Sequence, residues 1–117
     1  MRSLASAKLL RADGDSAGTC NRAYYAMFDA AHAALAICVE DFNPGKTKTH
    51  SGLISAVGQH LVLSGRLPIE LGKALGRVEQ LRKVADYTGE GITIDQAGEA
   101  IRQAEAFLDA VRRLVQP

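Results

Sequence analysis

The side chains in this sequence that could do chemistry are few, and most of them suit a phosphate. Arg82, Lys83, Asp86 and Tyr87 fall within one short stretch. A guanidinium holds a phosphate through two parallel hydrogen bonds and can stabilise charge that builds up in a transition state. Arg82 and Asp86 are also i,i+4 neighbours, so an ordinary ion pair along one helix is the competing account of the arginine. Exposed, such a pair is worth only a few tenths of a kcal/mol. Tyr24 and Tyr25 are adjacent, so only one can face a core. Tyr24 fits the buried side, and its hydroxyl then needs a partner; Tyr25 is left to line a cleft or to pack at a subunit contact. Arg22, three residues before Tyr25, is either a solvated charge or a second phosphate contact beside Arg82. His50 follows Lys46 and Lys48 and falls in what reads as the first turn of a helix, where free amide groups and the helix dipole attract anions. A local capping or surface histidine is the alternative there.

Metal and cofactor chemistry is not expected. His32, His50 and His60 fall on different segments, and none forms an i,i+4 pair with another histidine or joins a cysteine pair of zinc spacing. Cys20 and Cys38 lie on one predicted helix, about 27 Å apart at helical rise, too far to bond to each other. They read as small core residues of a reducing compartment. No glycine-rich phosphate loop, Ser-His-Asp order or glycosidase-like carboxylate pair can be placed.

Helices must position these residues. The first runs from about Arg2 to Ala12, with Leu4, Ala7, Leu10 and Leu9 as its apolar side, and Asp13-Gly14-Asp15 ends it. The second, from about Ser16 to Val39, carries Cys20, Tyr24, Met27, Phe28, Ala31, Leu35 and Cys38 at spacings of three and four. Asp41-Phe42-Asn43-Pro44-Gly45-Lys46 is a loop, by its Asn-Pro-Gly turn chemistry. The third starts at a Thr49 N-cap, buries Leu53, Ile54, Val57 and Leu61, and stops at Ser64-Gly65-Arg66. Pro68 opens the fourth, where Leu71, Leu75, Val78, Leu81 and Ala85 lead to about Asp86. Its Gly72 and Gly76 either admit a close neighbour or are merely tolerated. After a turn at Thr88-Gly89-Glu90-Gly91, Thr93 and Gln96 form a capping box, and Ala97, Ile101, Ala104, Leu108, Val111 and Val115 mark the fifth. Nothing alternates with period two, so the fold class is all-α: an antiparallel up-and-down bundle of four to five helices joined by short loops.

The bulk properties agree. The chain has 117 residues, 47% of them apolar and 23% charged, which suits one globular domain over residues 1–117. A chain of this size buries only about two-thirds of its unfolded surface, so an apolar face left over is expected to be covered by a second copy in a homodimer. Fourteen basic and 13 acidic side chains give a net charge of +1, which excludes nucleic-acid binding by bulk attraction and leaves a local patch. No apolar run approaches the ~20 residues of a membrane span and no signal peptide is visible, so a cytoplasmic protein with no membrane partner is expected.

Three strings carry a resemblance: Asn21-Arg22-Ala23-Tyr24-Tyr25-Ala26-Met27-Phe28-Asp29-Ala30-Ala31, Lys48-Thr49-His50-Ser51-Gly52-Leu53-Ile54, and Arg82-Lys83-Val84-Ala85-Asp86-Tyr87. In this order, with the alanine-rich helix around Ala104-Glu105-Ala106-Phe107, they resemble the prokaryotic HEPN domain, most closely its small stand-alone branch. The resemblance covers nearly the whole chain. It implies a dimerising helical bundle, often encoded beside a small nucleotidyltransferase that acts as antitoxin. It also implies a metal-independent ribonuclease in many members, whose signature is an arginine, usually with a polar residue directly after it, and a histidine beyond four to six intervening residues.

This chain departs from that signature. Arg82 and Lys83 match the arginine and its neighbour, but Tyr87 stands where the histidine would fall, and no other arginine has a histidine at that spacing. Opening RNA with its own 2′-hydroxyl needs a proton acceptor that works near neutrality, and histidine is the usual choice. A phenol is a poor base at pH 7, though it can stack on a nucleobase. The expectation is therefore a HEPN-type component of a toxin–antitoxin or defence pair that binds a nucleotidyltransferase-like partner and nucleotide or RNA, through Arg22, Tyr25, Lys48, His50, Arg82, Lys83 and Asp86. The competing expectations are an RNA endonuclease with Arg82 and Tyr87 as a diverged catalytic pair, and a purely structural dimerisation module.

Overall fold

The computed structural model describes residues 2–40, 42–88 and 91–116 (of residues 2, 44, 46 and 88, the backbone alone). Its elements in order are α1 (Arg2–Ala12), α2 (Ser16–Cys38), a 3-10 turn (Pro44–Thr47), α3 (His50–Val57) continued by a π-helical turn (Gly58–Val62), α4 (Ile69–Thr88) and α5 (Ile94–Val115). Among the described residues there is no strand. The up-and-down helical bundle is thus as the sequence predicts, and no helix is long and apolar enough to cross a membrane among the residues described.

Local chemistry sets the helix starts. Asp15 accepts from Gly18 N at 2.8 Å to begin α2, and Thr49 accepts from Gly52 N at 3.0 Å to begin α3. Thr93 and Gln96 exchange both bonds of a capping box at the head of α5. The ends differ slightly from expectation. Val39 caps α2 in an extended conformation rather than ending it, and α4 runs on through Thr88. The predicted turn beyond it includes Gly89 and Glu90, and the predicted loop after α2 includes Asp41; these three lie outside the described residues.

α2 is the central element, packed against α1, α4 and α5. Its alanines explain why: Ala23, Ala26, Ala30, Ala31 and Ala34 are all buried beside the larger Tyr24, Met27 and Leu35, so neighbours close in on several sides. From α3, Leu53, Val57 and Leu61 enter the core; from α4, Ala74, Leu75 and Val78; from α5, Ala97, Ile101, Ala104, Phe107 and Leu108. Leu9 is a correction. It is 73% exposed, because Ala7 already occupies the inward line of α1 with Leu4 and Leu10 at its flanks.

The two glycines of α4 separate into different cases. A Cβ on Gly72 would stand 2.8 Å from Val62 Cγ2, so α3's terminal turn packs there against bare backbone. A Cβ on Gly76 would meet nothing within 4 Å.

Candidate functional site

α2 presents Tyr24, Tyr25, Phe28 and His32 along one side. Tyr24 is fully buried, and its hydroxyl finds its partner 2.7 Å away in Nδ1 of His50, on the first turn of α3. Burial pushes the Tyr24 phenol well above its ordinary pKa; Glu79 and Tyr25 push the same way and Arg82 opposes them. The phenol therefore stays protonated. When it donates to Nδ1, a neutral His50 keeps its proton on Nε2. When Nδ1–H donates to the phenol oxygen instead, Nε2 is left with a free lone pair. The ring centroids of Tyr24 and His50 are 5.3 Å apart; Tyr25 packs edge-on against both, and Phe28 packs edge-on against His50 and tilted against Tyr24. His32 packs at a tilt against Phe28, ring centroids 4.5 Å apart, and bonds through Nε2 to Thr47, pegging the 3-10 turn to α2.

α4 brings the charges. The Arg82 guanidinium carbon lies 5.3 Å from the centre of the Tyr24 ring, and its side chain is only 11% exposed. Nη1 reaches Asp86 Oδ2 at 2.5 Å and Nη2 stands 3.7 Å from Glu79 Oε1, while Nε has no hydrogen-bond acceptor. Lys83 Nζ lies 3.4 Å from the same Glu79 oxygen. Two cations thus share two carboxylates. Glu79 is 5% exposed and Asp86 43%, so the first is a fixed counterion and the second a movable one.

The expected site residues divide. His50, Tyr25, Arg82, Lys83 and Asp86 fall around Tyr24, on α2, α3 and α4. The expected ion pair of Arg82 with Asp86 is present, but on a guanidinium that is nearly buried rather than solvated. Tyr87 is 88% exposed on α4, and lines a shallow hollow with Arg82, Lys83 and Asp86. Lys48 is exposed just before α3, and Arg22 is exposed on α2; the Lys46 side chain lies outside the described residues. Sequence reasoning missed two members. Glu79 was legible, since it stands three and four residues before Arg82 and Lys83. The Tyr24–His50 bond was not, because 25 residues intervene and only the fold closes the gap.

Between α3 and α4 lies a cleft of about 550 Å³, with His50 and Ser51 on one wall and Gly76, Glu79, Gln80 and Lys83 on the other. Elsewhere Cys20 is buried, which pushes its thiol up to about 11, out of the reactive range. Among the described residues no three histidine, cysteine, aspartate or glutamate side chains are placed to hold a metal ion.

A five-helix bundle with an arginine, aromatic and histidine cluster across α2, α3 and α4 defines a class, and sequence comparison supplies its family. The HEPN domain model matches residues 1–114, so the chain belongs to the HEPN domain family. It is 41% identical to a UPF0332 protein of Gloeobacter violaceus, over 92% of this chain and 82% of the relative. A UPF0332 protein of Thermotoga maritima is 35% identical over 97% of this chain and 83% of its own length. A Methanocaldococcus jannaschii protein named as a candidate toxin is 35% identical over 79% of this chain and 65% of its own. No solved structure matches the chain.

Proposed function

We propose that this HEPN protein is the toxin-like component of a prokaryotic toxin–antitoxin or defence pair, acting as a homodimer beside a nucleotidyltransferase-like partner. In this reading the cluster around Arg82 binds the phosphate of RNA or of a nucleotide. The observation that carries it is the Arg82 guanidinium, backed by the Tyr24 ring and closed by the Asp86 carboxylate. A carboxylate and a phosphate present oxygen acceptors of similar geometry to the same fork, and the half-exposed Asp86 is the partner that can give way. The relative named as a candidate toxin supports the setting.

The test is binding of a fluorescently labelled RNA oligonucleotide, followed by anisotropy at low salt. Arg82→Lys keeps the charge beside Glu79 but removes the planar fork. It is expected to weaken binding about tenfold or more, with the helical circular dichroism unchanged. Equal binding by the variant and the parent would remove Arg82 from the site.

An enzymatic reading is favoured by one observation, the His50 imidazole held on Tyr24. An imidazole is the kind of proton acceptor that the stretch after Arg82 lacks, whereas Tyr87 stands in solvent. Incubation with labelled RNA in the presence of a chelator decides between the two. Cleavage that disappears in His50→Asn, which can keep a bond to the Tyr24 hydroxyl, would make the protein a nuclease. Binding without cleavage would leave it a binding module.

A further inference from the structure

The aromatic side chains of this chain are covered, with one exception. Tyr24 and Phe107 are fully buried, Tyr25, Phe28 and Phe42 are half-buried, and Tyr87 is 88% exposed. A single exposed apolar side chain needs no explanation of its own; what sets this one apart is its company. Tyr87 lines one hollow of about 430 Å³ with Arg82, Lys83 and Asp86. Lys83 precedes it by four residues, so the two stand on one face of α4, about 6 Å apart along the helix axis. A nucleotide spans a comparable distance from its phosphate to its base. A phosphate held at Arg82 and Lys83 therefore brings a neighbouring base to the Tyr87 ring. The ring sits on a helix rather than on a loop, so its place relative to the two cations is fixed. Every nucleobase has a π face, and stacking on an aromatic side chain does not depend on which base it is. In a duplex those faces are already covered by the neighbouring pairs, whereas single strands can splay them out.

We propose that Tyr87 is a base-stacking platform and that the RNA taken by this site is single-stranded. The inference rests on the RNA reading above and adds the strand form to it. Arg82 and Lys83 hold a phosphate, and the Tyr87 ring, one turn along α4, receives an adjacent base without choosing among bases.

Anisotropy titrations with a labelled single-stranded RNA, and with the same strand annealed to its complement, test it. The parent should bind the single strand about tenfold more tightly than the duplex. Tyr87→Ala should lose about tenfold on the single strand and nothing on the duplex, with the salt dependence unchanged because no charge is removed. Tyr87→Phe keeps the ring and should bind like the parent. The chain has no tryptophan, so Tyr87→Trp introduces a single reporter, whose emission the single strand should quench on binding. Full single-strand affinity in Tyr87→Ala, an equal loss in Tyr87→Phe, unquenched emission in bound Tyr87→Trp, or equal binding of the two RNA forms by the parent overturns the platform. The phosphate site then stands or falls separately, by Arg82→Lys. No binding of either RNA overturns both readings.

Discussion

Asp86 is the residue on which the phosphate site turns. Its carboxylate occupies one edge of the Arg82 fork at 2.5 Å, yet it is 43% exposed, so it holds that place without being locked there. A phosphate must displace it, and the attraction it exerts on the arginine is subtracted from binding. Asp86→Asn removes the charge and keeps the size. RNA affinity should therefore rise several-fold, while stability shifts by no more than about 1 kcal/mol, as for a pair with one solvated partner. A gain of function is a stringent outcome, because general damage to the fold cannot produce it; a loss in anisotropy titrations would mean that Asp86 itself contacts the ligand. Tyr24 makes a second claim at this scale. Its phenol titrates higher in the folded chain than the ~10 of an unfolded tyrosine. Below that pH both states keep the proton and the native state has its full advantage. Above it the unfolded chain ionises first, so stability falls as pH rises. Cys20, raised from 9.0 to about 11, acts in the same direction. Urea midpoints measured from pH 9 to 11 should fall for the parent and fall less steeply for Tyr24→Phe. The variant should also lose about 1 kcal/mol at neutral pH with the His50 bond. An unchanged slope would mean that burial does not hold the phenol protonated.

The elements were the most legible part of the sequence, because caps and periodicity are local. Thr49 and the Thr93–Gln96 box each act within three residues, so their spacing could be read directly, whereas Asp15, read only as part of the stop after the first helix, also caps the second. The π-helical turn at Gly58–Val62 could not, since nothing in Gly58-Gln59-His60-Leu61-Val62 marks a widened turn against an ordinary one. The same limit applied to Gly72 and Gly76, identical in sequence and four residues apart on one helix. What tells them apart is Val62, which belongs to another element. The difference is measurable. Gly72→Ala puts a Cβ 2.8 Å from the Val62 methyl, so the steric conflict should cancel or exceed the helical gain, and stability should not rise. Gly76→Ala meets nothing and should gain up to about 1 kcal/mol. Thermal melts of the two variants that shift together would show that α3's terminal turn does not press on α4.

At the scale of the whole molecule, the site joins residues that the chain keeps far apart. Tyr24, His50 and Arg82 come from three helices, and no spacing rule connects them; the family resemblance alone pointed at all three strings. The proposed dimer raises the matching question of which face it uses. One groove between α4 and α5, about 400 Å³ with largely apolar walls, is formed by Val78, Leu81, Val84 and Ala100. Val84 is 45% exposed there, and Arg77 and Glu99 flank the groove on opposite helices. A second copy seated on such a groove would bury its apolar centre and leave the charged side chains at the rim. α4 would then carry Arg82 on one side and the seam on another, which brings the two phosphate sites of a dimer close to the shared interface. Val84→Glu leaves the bundle core alone and buries a charge in that seam. Light scattering behind size-exclusion chromatography should find a dimer for the parent chain and a monomer, of unchanged helical content, for the variant. A dimer that survives Val84→Glu would place the contact on a different face, and a monomeric parent would leave the groove without its second copy.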